Sequence, residues 1–133
     1  MRTILTAAGL GGLLVLIGAA QAVAHHSFSA EFDINRPIQL TGTVTKVEWI
    51  NPHAWIHVDV KKPDGTTTEW SFVGGSVTSI ARFGLKEGPN ALHVGDEIIV
   101  TCTPAADGKS PVGLLVAITY QDGHTVRFRS PDE

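Results

Sequence analysis

Apolar and polar residues alternate without a break from Ala54 to Val60. In an extended strand Ala54, Ile56, Val58 and Val60 point one way, inward, and Trp55, His57 and Asp59 point the other. Lys62-Pro63-Asp64-Gly65-Thr66 then reads as a tight turn, in which Pro presets φ and Gly supplies a positive one. Thr67–Val73 is the return strand, and pairing about this turn sets Trp70 opposite Val58 and Phe72 opposite Ile56 on the inner face. Upstream, the Thr- and Val-rich stretch 39–49 predicts a longer strand. Val44 and Val47 differ in parity there, so a bulge is expected to bring both to one face and bend the strand.

Downstream, Gly74-Gly75 ends the third strand, and Ser76 is placed to cap a short helix over 77–82, with Gly84 as its stop. A turn through Gly95-Asp96 leads into a strand over 97–103. Asp107-Gly108 is a further turn, 114–120 a further strand, and Asp122-Gly123 a hairpin signal before 125–128. Three strands, a short helix, then two or three strands predict an all-β fold: a small β-barrel, OB-fold-like, with one helix between strands 3 and 4. A barrel also removes exposed strand edges. Another small barrel or a β-sandwich is compatible with the same pattern.

The first residues read differently. Met1-Arg2 is a short positive start, Ile4 to Ala20 is apolar, and small residues follow. This is the pattern of a cleavable signal peptide over 1–24, ending at Ala22-Val23-Ala24. A second register, Ala20-Gln21-Ala22, would release Val23-Ala24-His25. An uncleaved anchor is the alternative, the segment being close to the roughly 20 residues that span a bilayer. No Cys follows the apolar run and no Arg-Arg pair precedes it. The expectation is therefore ordinary export to the periplasm, a single domain over 25–133, and no stable membrane anchor after cleavage.

The chain has 10 basic and 13 acidic side chains, a formal net charge of −3. Loss of Arg2 with the leader makes the exported part more acidic still. Clustered Lys and Arg for phosphate neutralisation are missing, so nucleic acid is not an expected partner. Cys102, the single cysteine, can form no internal disulfide, and in its apolar strand it reads as a small buried hydrophobe. A soft metal ligand is the alternative.

The histidines carry the candidate chemistry. Cleavage after Ala24 would leave His25 with a free α-amine, and amine and imidazole together chelate a transition metal. Cleavage after Ala22 would place histidine third, where amine, backbone nitrogens and ring suit square-planar Cu(II) or Ni(II). Either way nitrogen donors favour copper. His26 and His53 are candidate additional ligands. Glu31 and Asp33 could add oxygen ligands or orient a ring N–H. His57 lies on the same strand face as His53 but up to about 13 Å further along, at roughly 3.3 Å per residue, so it is the poorer ligand. His93 and His124 read as turn residues. Trp49, Trp55 and Trp70 form an aromatic set: Trp70 in the core, and Trp55 facing outward, to stack on a planar ligand or to pack beneath the lead-in with Phe28 or Phe32. Metal, nucleotide and hydrolase motifs such as C-x-x-C, H-E-x-x-H and G-x-S-x-G are missing, and nothing in the sequence requires an enzyme.

Three segments, His25 to Asp33, Gly42 to Trp49 and Asn51 to Ile56, together with the Gly95-Asp96 turn, resemble a family of small exported bacterial proteins of unknown function. That resemblance implies a periplasmic domain and no established activity. Two functions are expected from different classes. The first is a periplasmic metal-binding carrier, buffer or sensor, copper favoured, through His25, His26 and His53. The second is a non-metal module in which Asn51, His53, Trp55 and His57 grip a peptide, glycan or partner protein. A histidine-brace oxidase is a third, lesser option.

Overall fold

The computed structural model describes residues 30–88 and 91–128. The chain divides into two compact units that part between Glu31 and Phe32, and the fold below is that of the second.

Six strands and one helix follow in the order β1 (Ile38–Glu48), β2 (Trp55–Lys61), β3 (Thr67–Val73), α1 (Val77–Arg82), β4 (Glu97–Pro104), β5 (Val112–Tyr120) and β6 (Thr125–Arg127). The expected third strand and helix have these same bounds. Elsewhere the ends differ by one or two residues: Ala54 precedes β2, Phe128 follows β6, and Val112 and Gly113 join β5 because both pair with β3. The β2–β3 hairpin has the register expected of it, Ile56 opposite Phe72 and Val58 opposite Trp70. Its turn is closed by Lys62 N–H to the Thr66 carbonyl at 2.7 Å, with Gly65 at φ +86°. Asp64 Oδ1 accepts from both Thr66 N–H (2.9 Å) and Thr66 Oγ1 (2.6 Å).

β1 is the organising strand. Its first half, Ile38 to Thr43, pairs with β4, and its second half, Gly42 to Glu48, pairs with β2. The register with β2 shifts between Val44 and Lys46, the bulge that the parity of Val44 and Val47 predicts. Strand order is β3-β2-β1-β4-β5-β6, and parallel pairing of Ser71–Val73 with Val112–Leu114 joins β3 to β5. This closes β1 to β5 into a five-stranded barrel. β4 takes one edge of β5; β3 and β6 share the other, β3 at its start and β6 at its end. A second register shift, between Thr101 and Cys102, bends β4 against β5.

Alternation puts Val44, Ile56, Val58, Phe72, Ile98, Val100, Cys102, Leu115 and Ile118 inside the barrel. Ile80 of α1, with Leu85 and Leu92, joins this core. Ser76 caps α1 by accepting from Ser79 N–H at 3.2 Å. Cys102 is fully enclosed, and burial pushes its thiol pKa up to about 12. It is a core hydrophobe and not an available soft ligand. Among the described residues no helix is long and apolar enough to cross a membrane.

Candidate functional site

The link between β1 and β2 carries the Asn51-Pro52-His53 segment, and each polar residue in it has a structural task. Asn51 Oδ1 accepts the N–H of Val77 at 3.1 Å. That N–H is one of the first-turn donors a helix leaves unsatisfied, so Asn51 and Ser76 between them cap α1 from two directions. The Asn51–Pro52 bond is cis. Ala54 then bonds the end of β3 through its own backbone, N–H to the Gly75 carbonyl at 3.0 Å and C=O from Gly74 N–H at 2.9 Å. His53 is half-buried against the same point, with Nδ1 3.2 Å from the Gly74 carbonyl oxygen. A carbonyl only accepts, so Nδ1 carries the proton. The lone pair of the neutral ring therefore lies on Nε2.

His57 sits in a different setting. It projects from β2 between Lys46 of β1 and Ser71 of β3. Its side chain is 17% exposed, and both nitrogens are engaged: Nε2 with Glu48 Oε2 at 2.8 Å, Nδ1 with Ser71 Oγ at 2.9 Å. A carboxylate only accepts, so Nε2 carries the proton, and Nδ1 of the neutral ring accepts from the Ser71 hydroxyl. Glu48 is held in turn by Lys46 Nζ at 2.6 Å on its other oxygen. The hydrogen bond from Lys46, followed by that from His57, lowers the Glu48 carboxyl below its ordinary range. The result is a polar row, Lys46-Glu48-His57-Ser71, crossing three strands. In this row no lone pair of His57 is left for a metal, which removes the ring even as the poorer ligand. As a member of the proposed ligand face, His57 offers a fixed ring edge only.

Trp55 lies beside this row, half-buried, opposite Glu48 on one side and Val73 on the other. Trp70 is likewise half-buried and stacks on Phe72 with centroids 6.0 Å apart, so it borders the core and does not fill it. Loop 105–111 approaches the same face, since Ser71 N–H donates to the Pro111 carbonyl at 3.0 Å. Asp107 ties that loop together, accepting from Lys109 N–H, Ser110 N–H and the Ser110 hydroxyl, which bring its carboxyl down to about 2. The hydroxyl bond is the largest cause.

His25, His26, Phe28 and both cleavage registers lie outside the described residues. Asp33 pairs with Arg36 at 3.7 Å on the surface, and Phe32 is buried in a bridge to Ala105. Among the described residues no three His, Cys, Asp or Glu side chains are grouped as a metal site. His93 and His124 are turn residues: His93 N–H bonds Asp96 at 2.8 Å, and His124 bonds Asp122 and stacks on Tyr120. Sequence reasoning missed Glu48 and Ser71. Extending the hairpin register by one residue from the Val58–Trp70 pair would have set Ser71 beside His57. Glu48 was hidden because the bulge breaks the register that relates β1 to β2.

The fold thus defines a small closed barrel of OB type, its β1–β2–β3 face bordered by the Asn-Pro-His link and loop 105–111. The chain belongs to a family of unknown function, DUF6152, whose model matches residues 13–114. No curated protein and no solved structure matches it.

Proposed function

We propose that the exported form of this chain is a periplasmic metal-binding module, with copper the favoured ion, serving as carrier, buffer or sensor. The proposed donors are the α-amine and ring of His25, with His26 and His53 as further nitrogen ligands. The observation that carries the reading is the His53 tautomer. Its Nδ1–H is committed to the Gly74 carbonyl, which orients the ring and places the lone pair on Nε2. Metal-ligating histidines are held in this way, the second ring N–H donating to a backbone carbonyl or carboxylate. His25 and His26 enter from the sequence alone. Nitrogen donors rank Cu(II) above the other divalent ions of the series.

The test is a Cu(II) titration of the exported protein followed by electron paramagnetic resonance, after mass spectrometry has defined its first residue. One stoichiometric nitrogen-rich signal, lost in His25→Ala and weakened in His53→Ala, is expected. Unchanged binding in a His25→Ala/His26→Ala variant would overturn the proposal.

A second reading is a binding module for a peptide, glycan or partner protein. The half-buried Trp55 beside a braced polar row supports it, with Asn51 and His53 at the border. Metal-free protein that binds such a partner and loses it in Trp55→Ala would favour this reading over the first.

A further inference from the structure

The surface of β1, β4 and β5 carries a second set of features, away from the β1–β2–β3 face. Thr41 lies opposite Ile99, and Ile99 opposite Thr119. Ile99 is exposed, unlike its buried neighbours Ile98 and Val100. These residues line an apolar trough of about 360 Å³ that Tyr120, Gln121 and Glu97 also border. The same three residues line a larger cleft of about 660 Å³, which adds Thr43, Asp96, Asp122 and His124. Two hollows therefore meet along one wall, an apolar one and one edged by three carboxylates. Among the described residues no lysine or arginine lines either.

The carboxylates are set in place by their neighbours. Glu97 Oε2 accepts from Gln121 Nε2 at 2.6 Å, and Asp96 Oδ2 from His93 N–H at 2.8 Å. Asp122 Oδ1 accepts from the His124 backbone N–H at 2.9 Å and from its ring at 3.0 Å. One face of the Tyr120 ring is covered by His124, 4.3 Å away and within 5° of parallel. The Tyr120 phenol is raised above its ordinary pKa by burial first, then by Asp96 and Asp122. The negative potential of the cleft thus reaches the shared wall.

We propose that this trough binds an amphiphilic organic cation, its ammonium or guanidinium group among Asp96, Glu97 and Asp122 and its apolar body along Ile99, Thr119 and Tyr120. Apolar burial alone would accept a tail of any charge. The three carboxylates at one end, with no lysine or arginine among the described lining residues, choose the sign, since an anion placed there is repelled and a neutral group gains no Coulomb attraction.

The probe is 2-phenylethylammonium, added to ¹⁵N-labelled protein and followed by amide correlation spectra, with 2-phenylethanol and 3-phenylpropionate as matched neutral and anionic analogues. The amine should give saturable shifts at Ile99, Thr119, Gln121 and Asp122, and its affinity should fall as salt is raised. A Glu97→Gln/Asp122→Asn variant keeps the side-chain shapes at exposed positions, so its amide spectrum should remain that of the folded protein. It should bind the amine about tenfold more weakly. Equal affinity for the alcohol would assign the trough to an uncharged apolar occupant and overturn the proposal. Full affinity in the double variant, or shifts clustered elsewhere, would overturn it too. So would shifts that depend on protein concentration without any probe, because they would give the surface to a second copy of the chain.

Discussion

Replacing Gly42 with alanine should unlock the barrel. Gly42 stands where β1 is paired on both edges, with Val60 of β2 and Ile98 of β4. A Cβ there would collide with the carbonyl oxygen of Asp59, and would lie 2.7 Å from Val58 Cγ1 and 2.9 Å from the Asp59 carbonyl carbon. Ordinary contact begins at 3.4 Å. Val58 is fully buried and cannot swing away, and the Asp59 carbonyl is backbone within a paired strand. Relief requires β1 and β2 to part by roughly 1 Å, at the upper end of the 1–3 kcal/mol that overpacking costs, or somewhat beyond it. The smaller unfolded-state entropy of alanine returns about 0.4–1 kcal/mol. A net loss of about 2–3 kcal/mol, at roughly 4–8 °C per kcal/mol for a domain of this size, lowers Tm by about 10–20 °C. Thermal unfolding followed by circular dichroism measures this. Gly74→Ala is the control, because a Cβ there meets nothing closer than 3.5 Å. The reasoning is refuted if Gly42→Ala melts within about 3 °C of the parent, or if Gly74→Ala falls as far.

Asn51→Ala removes the acceptor for Val77 N–H and should cost about 0.5–2 kcal/mol in chemical denaturation, whereas Asn51→Asp should retain most of the stability. Long-range ¹H–¹⁵N spectra of the neutral rings should show opposite tautomers, Nδ1–H at His53 and Nε2–H at His57; the same tautomer at both would contradict the assigned bonds. The Asp107 carboxyl should titrate near 2 by carbon NMR. Its folded pKa is depressed, so its contribution is present above the ordinary value of 3.8 and is lost as pH falls toward 2; Asp107→Asn should flatten that part of the acid-unfolding curve. Cys102 should resist iodoacetamide in the native state and react only at the rate at which the barrel opens, and rapid native labelling would show that the thiol is not enclosed.

What the sequence made legible was whatever a local rule controls. The Pro63-to-Gly65 turn pins the hairpin register, so Ile56–Phe72 and Val58–Trp70 could be read directly. The parity clash of Val44 and Val47 announced the bulge, and Ser76 announced the helix start. Contacts between distant segments were not legible. Nothing near Gly42 says that it must clear the Asp59 carbonyl, and nothing in the 114–120 pattern says that Val112 and Gly113 complete the barrel against β3. Asn51 read as a ligand contact because its partner, Val77, lies 26 positions away. Trp55 was legible as facing off the core, but its burial depends on neighbours from two other strands.

The Asn-Pro-His link has one more consequence. His53 hangs from the Gly74 carbonyl, two residues ahead of the Ser76 cap, while Asn51 holds the first N–H of α1. Any occupant that requires this ring turned must release that carbonyl, and so works against the helix start. By reciprocity, whatever steadies α1 must raise the affinity of an occupant that keeps the ring as it stands. Occupancy at His53 and hydrogen-exchange protection at Val77 are two readings of one free energy.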